Sequence, residues 1–166
     1  MKKAIQVLND LKREGLIKEY AIGGGRAILF YAEPVQTQDL DVFIFLQESD
    51  VNSLAPLSRI YDALRKYGYQ EKGEAVVIDG IPVQFLVFND DLYNEALEEA
   101  FTRHDFDVPT RVIRPEHLIA IALKTGRARD KLKVIHLYEQ APMSNDYLNS
   151  VLERYNLKDE YEKWIR

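Results

Sequence analysis

The sequence predicts an α/β (α+β) chain: a short mixed β-sheet flanked by helices, followed by a helical C-terminal portion. Three observations carry this. Apolar runs of strand length, bounded by turn residues, recur between residues 20 and 88; helical stripes alternate with them; and from Pro115 onward only helical patterning remains. The two parts, residues 1–114 and 115–166, meet at Arg114-Pro115. The second is too short to fold alone and is expected to pack on the first as one structural unit.

In chain order, residues 3–14 place Ile5, Leu8 and Leu11 at helical spacing, with Gly15 as the stop. Tyr20–Gly23 reads as a short strand that breaks into three consecutive glycines. A short helix is expected over Arg26–Tyr31, closed by Glu33-Pro34. Asp39–Leu46 is apolar on both faces apart from its aspartates, the mark of a central strand. A helix from about Asn52 to Tyr67 carries Leu54, Leu57, Ile60, Tyr61 and Leu64 on one stripe. Ala75–Ile78 and Ile81–Phe88 flank Asp79-Gly80, a dipeptide suited to a tight hairpin turn. Pro82 fits only near a strand start or a sheet edge. A helix over Asp90–Ala100 precedes short extended segments in 103–113. Helices follow over Pro115–Thr125, over Arg127–Gln140 and from Asn145.

Of the 166 residues, 46% are apolar and 30% charged, the balance of an ordinary soluble globular chain. The net charge of −5 argues against a protein that mainly coats nucleic acid. The absence of cysteine excludes disulfides and thiolate metal sites and suits the cytoplasm. No apolar run approaches the ~18 residues of a membrane span, and the N-terminus opens an amphipathic pattern, not a signal core.

Chemistry concentrates in two places. On a strand, Asp39 and Asp41 face the same way, roughly 6.5–7 Å apart along the chain. Two carboxylates on one face of an otherwise apolar strand are costly unless a cation lies between them, and Mg²⁺ (or Mn²⁺) accepts such oxygen ligands together with phosphates and water. Gly23, Gly24 and Gly25 sit where a strand hands over to a helix. Glycine there lets the backbone turn sharply and approach a ligand, and the helix start offers free N–H groups to phosphate.

The combination Ile22-Gly23-Gly24-Gly25 followed by Thr37-Gln38-Asp39-Leu40-Asp41-Val42 resembles the nucleotidyltransferase superfamily related to DNA polymerase beta. The stretch from His117 to Lys124, followed by Gly126-Arg127-Ala128-Arg129-Asp130, is similar to small prokaryotic members grouped as AbiEii-type and minimal nucleotidyltransferases. The resemblance implies a nucleotidyltransferase fold and a role for each matching residue. Asp39 and Asp41 would hold the metal of a metal–NTP complex, and Gly24 and Gly25 would face its phosphates. Lys124 would neutralise phosphate charge, and Arg26 would also lie within reach of it. The implied reaction is attack of an acceptor hydroxyl, on RNA, a protein or a small molecule, at the α-phosphate, with release of pyrophosphate.

The resemblance also implies a third carboxylate from a later strand. The strand in that place is Ile81–Phe88, and its expected acidic position is Gln84, which carries no charge and cannot act as a base. Asp79 is the nearest alternative for that carboxylate, but it is expected in the hairpin turn, away from the site; Glu74 is a second, weaker alternative. This departure motivates an alternative: a catalytically impaired binding protein of the same fold, with a cognate protein partner, as in a toxin–antitoxin pair. Lys124, Arg127 and Arg129 form a basic cluster around Gly126 suited to phosphate or acceptor contact, although Arg129 reads as a solvated helix end; Asp130 reads as a helix-terminal or salt-bridge residue. His104, His117 and His136 lack metal-ligand spacing and read as structural or exposed. Ser49, Ser53 and Ser58 lie near no histidine–acid pair in sequence.

Overall fold

The computed structural model describes residues 1–166. A helix, α1 (Lys2–Arg13), buries Ala4, Ile5, Val7, Leu8 and Leu11 along one face, each large aliphatic contributing about 1.5–3 kcal/mol. Gly15, at φ 74°, turns the chain into β1 (Glu19–Ile22). The glycines open α2 (Gly24–Ala27), which tightens into a 3-10 turn at Ile28–Phe30. An extended stretch then leads to β2 (Leu40–Phe45), with four of its six residues buried, as a strand covered on both faces requires.

Between β2 and the next strands lie α3 (Glu48–Val51) and α4 (Ser58–Lys66). The expected helix from Asn52 is therefore shorter by about a turn and a half. Its start falls after Pro56, and Leu54 projects fully into solvent instead of joining the apolar stripe. Pro56 disfavours helical conformation in the residue before it, which separates the two helices. Strands β3 (Gln70–Lys72), β4 (Ala75–Ile78) and β5 (Ile81–Leu86) form a meander. Asp79 and Gly80 both have positive φ, 51° and 74°, as a two-residue hairpin turn with matching twist demands. Helix α5 (Asp91–Glu98) and strands β6 (Phe101–Arg103) and β7 (Thr110–Val112) complete the sheet.

The sheet order is β3-β4-β5-β2-β1-β7-β6. β2 lies antiparallel to β1 and parallel to β5, while β1 and β7 run parallel. β2 is thus flanked on both edges, and Asp41 is directly opposite Gln84 of β5. Helices α6 (Pro115–Thr125), α7 (Asp130–Gln140), α8 (Asn145–Arg154) and α9 (Lys158–Ile165) follow. Pro115 occupies the first turn of α6, and Gly126 ends it at φ 68°. Ile119, Val134, Leu152 and Trp164 of these helices belong to the same buried cluster as Ile5, Leu40 and Val83. No helix is long and apolar enough to cross a membrane.

Candidate active site

Gly23 ends β1, and its N–H donates to the Asp41 carbonyl at 2.9 Å, so the glycine turn is stitched to the acidic strand through the backbone. Each glycine lies against a different neighbour. A Cβ on Gly23 would stand 2.7 Å from the Phe43 ring, and one on Gly25 would stand 2.9 Å from Thr37 Cβ. Gly24 is tightest: it adopts φ 58°, and a Cβ there would lie 1.9 Å from Asp41 Oδ2. The turn is therefore built around the Asp41 carboxylate as well as around any ligand.

Asp39, Asp41, Gly25, Gln84, Arg127, Arg129, Lys133 and His136 line one cleft of about 770 Å³. β2 contributes Asp41, while Asp39, expected to open the strand, lies in the exposed segment just before it; α7 with its lead-in contributes the cations. Asp41 is half-buried and its pKa is raised, chiefly by burial; Lys133, Arg127 and Arg129 pull in the opposite direction and Asp39 adds to the rise. Asp39 is exposed.

The cations are held in place from behind. Asp130, 1% exposed, accepts hydrogen bonds from Arg127 Nε at 2.8 Å and Lys133 Nζ at 2.6 Å. Burial acts to raise the Asp130 pKa, but these two partners outweigh it and keep the carboxyl ionised to lower pH. Asp130 thus orients two cleft cations without lining the cleft.

Two residues expected at the phosphates lie elsewhere. The Lys124 ammonium is ion-paired with Asp90, whose carboxylate also caps α5 by accepting from Leu92 N–H at 3.0 Å. Lys124 therefore ties α6 to α5 and does not line the cleft. The Arg26 guanidinium donates from Nη2 to the Gln38 carbonyl at 2.8 Å. It anchors the chain just before Asp39 and does not line the cleft. Arg114 is stacked between Phe101 and Tyr147, 4.5 and 4.0 Å from the ring centroids.

Other residues enter the cleft that the sequence did not single out. Lys133 is one, and Arg129 and His136, read from sequence as surface or structural, are two more. Positions 129, 133 and 136 are spaced at three and four residues, one helical face. That signal was present, but the helix start it depends on lies at Asp130, not Arg127. Asp79 does not line the cleft. Glu74 does not line it either, but is joined to a lining residue: Gln84 Nε2 donates to Glu74 Oε2 at 3.1 Å.

No protein-family model matches the chain, and no curated protein is similar to it in sequence. Solved structures do match in shape. A crystal structure of an antigenic nucleotidyltransferase-like protein from Paracoccidioides brasiliensis superposes with a TM-score of 0.59 at 14% identity, covering 97% of this chain and 91% of that one. The crystal structure of ANT(2")-Ia in complex with adenylyl-2"-tobramycin gives 0.50 at 12% identity, covering 92% and 94%. The chain has the nucleotidyltransferase fold.

Proposed function

We propose that this protein binds a nucleoside triphosphate together with Mg²⁺ (or Mn²⁺) and transfers its nucleotide to a hydroxyl on RNA, a protein or a small molecule. The observation that carries the reading is the meeting, in one cleft, of two carboxylates, Asp41 on β2 and Asp39 just before it, with three cations from α7 and its lead-in. Carboxylates alone would repel a triphosphate, and cations alone would suit any anion. Both together suit a polyphosphate that arrives with a divalent metal. The nucleotidyltransferase fold supports the same reading.

The donor set fits such a metal. Asp39 and Asp41 offer hard oxygen ligands, and no group of three or more His, Cys, Asp or Glu side chains gathers to form a complete cage. Phosphate oxygens and water would complete the coordination of an ion carried in by the nucleotide. When bound, the metal would supply electrostatic stabilisation to the reacting phosphate and the departing pyrophosphate. The chain's own part is positional. Gly24 and Gly25 let the α2 N-terminus approach, and Lys133, Arg127 and Arg129 meet the phosphate charge. Gly23, through its bond to the Asp41 carbonyl, keeps turn and strand in register.

The test is equilibrium binding of the four α-³²P-labelled NTPs with and without Mg²⁺ or Mn²⁺, followed by label transfer to RNA, protein and small-molecule fractions of a cell extract. Metal-dependent binding lost in the Asp39→Asn/Asp41→Asn variant is expected. A protein that binds no NTP in either metal sinks the proposal.

One observation favours a second reading. Gln84 stands opposite Asp41 in the sheet, where a third carboxylate would add charge. A nucleotide-binding partner protein with impaired chemistry, half of a toxin–antitoxin pair, would keep its complex with a cognate protein when Asp39 and Asp41 are both changed to alanine. The cysteine-free sequence fits a reducing compartment such as the cytoplasm for either reading.

A further inference from the structure

Pairing along β5 is uneven. On one side β2 accompanies it as far as Phe43 opposite Leu86; on the other, β4 stops at Val76 opposite Val83. From Gln84 to Leu86 the strand is therefore paired on one side only. A groove of about 680 Å³ runs along this open edge, with Pro56, Leu57, Tyr61, Phe85 and Val87 among its walls. Tyr61 and Phe85 meet edge to face, 6.2 Å between centroids.

Gln84 belongs to both this groove and the carboxylate cleft. Glu74 belongs to the groove and to a smaller recess, about 300 Å³, that it shares with Asp39 and Gln84. Glu74 comes from the turn between β3 and β4, where Gly73 at φ 64° reverses the chain. Its backbone carbonyl accepts from the Tyr61 hydroxyl at 3.0 Å, and its carboxylate accepts from Gln84 Nε2 at 3.1 Å. Gln84, the uncharged residue beside Asp41, thus holds a charged one at the junction of cleft and groove. A donor amide on one carboxylate oxygen leaves the other free to accept a proton.

We propose that Glu74 is the carboxylate that takes the proton from the acceptor hydroxyl, and that the acceptor, a hydroxyl-bearing molecule with an apolar or aromatic face, enters along the open edge of β5. The inference rests on the nucleotidyl-transfer reading above. In the step it describes, the acceptor oxygen forms a bond to the α-phosphorus while the bond from that phosphorus to pyrophosphate breaks. Pyrophosphate leaves with the electron pair, and the acceptor proton passes to Glu74. Gln84 is then a positioning residue, and the missing charge of the sheet is supplied from the adjacent turn.

The experiment compares wild type, Glu74→Ala, Gln84→Glu and the double variant for metal-dependent NTP affinity and for α-³²P label transfer to cell-extract fractions. Glu74→Ala is expected to lower transfer about 100-fold or more, in the range of a lost general base, with NTP affinity unchanged within about twofold. Glu74→Ala/Gln84→Glu is expected to regain much of the rate by returning a carboxylate to the junction, an outcome that a merely structural Glu74 would not give. Transfer that persists in Glu74→Ala, or a loss matched by an equal loss of NTP affinity, or a double variant with no rescue, overturns the proposal. A wild type that binds NTP yet transfers no label overturns it while leaving nucleotide binding intact. A wild type that binds no NTP removes the underlying reading as well.

Discussion

Gly24 and Asp41 touch so closely that no side chain fits between them: a Cβ on Gly24 would lie 1.9 Å from Asp41 Oδ2. A small backbone turn and an acidic side chain, 17 positions apart by subtraction of their numbers (41 − 24), define each other's place.

Gly24→Ala should therefore displace the carboxylate as well as strain a backbone at φ 58°. We expect NTP affinity to fall at least about tenfold and stability to drop by more than the ~1–2 kcal/mol of the left-handed conformation alone. Gly126→Ala is the control, since its φ is also positive but its surroundings are open. It should lose only the conformational part and keep nucleotide affinity. Thermal denaturation and equilibrium binding on both variants check this.

Asp41 carries the cost of a partly buried carboxylate. Burial raises its pKa, so folding stabilises the protonated form. Its contribution is fully present below the ordinary aspartate range and is lost as pH rises through the raised folded value. Metal-free Asp41→Asn should then be at least as stable as wild type at neutral pH while losing metal-dependent NTP binding. Melting curves across pH, without metal, would show the wild type gaining on the variant toward acid; a gap that widens the other way refutes the assignment.

Lys133 and Lys124 separate binding from architecture. Lys133 lines the cleft, whereas Lys124 is committed to Asp90. Lys133→Ala is expected to weaken NTP binding by about 10-fold or more, the scale of one charge-assisted hydrogen bond. Lys124→Ala should leave binding within about twofold and cost at most ~1 kcal/mol of stability, because the pair is substantially exposed. Isothermal titration of both variants distinguishes them.

Asp130→Ala should resemble Lys133→Ala in binding yet differ in stability. It removes a buried acceptor with two cationic partners. Because Arg127 and Lys133 remain partly exposed and can rehydrate, the loss should be about 1–3 kcal/mol and not the larger penalty of two stranded buried ions. Chemical denaturation gives the first number and nucleotide titration the second.

His117 predicts a sensitivity to acid. Its ring is fully buried on α6, with Nε2 3.0 Å from Glu95 Oε1 and Nδ1 without a partner, which fits the neutral tautomer carrying its proton on Nε2. Burial lowers its pKa against the opposing pull of Glu95. The unfolded chain takes up a proton near pH 6.5 that the folded chain resists, so stability falls from about pH 6.5 downward until the folded value is passed. A His117→Phe variant should flatten that part of the pH–stability curve.

The glycine turn and the acidic pair were legible because both are local patterns. Gly23 to Gly25 mark a strand end, and Asp39 and Asp41 stand two residues apart at a strand start, although β2 begins only at Leu40. Asp79-Gly80 was legible for the same reason, and it fixed the hairpin whose register sets Gln84. The cations were legible only in part: Arg127 and Arg129 belong to the basic cluster around Gly126, and both line the cleft. Lys124 has the right spacing on a helix but faces Asp90, and Lys133 was hidden until the start of α7 was known. That start depends on the turn closed by Asp130 N–H onto the Arg127 carbonyl and on packing, not on periodicity. Leu54 shows the converse: an apolar residue at helical spacing that the Pro56 break leaves in solvent. β3 carried no strand signal because all three of its residues are exposed, so no alternation was written into it.

The cleft takes its acids from the first third of the chain and its bases from the last. On a ribosome, Asp39 and Asp41 emerge and can pair into the sheet while Lys133 is still unsynthesised. Until α7 docks, the nascent protein offers a nucleotide only repulsion. On the proposed function, a triphosphate seated there afterwards would be held from both ends of the chain and would act as a clasp. Saturating nucleotide should protect the α7 amides from hydrogen exchange as strongly as those of β2, although no covalent or sheet contact joins the two.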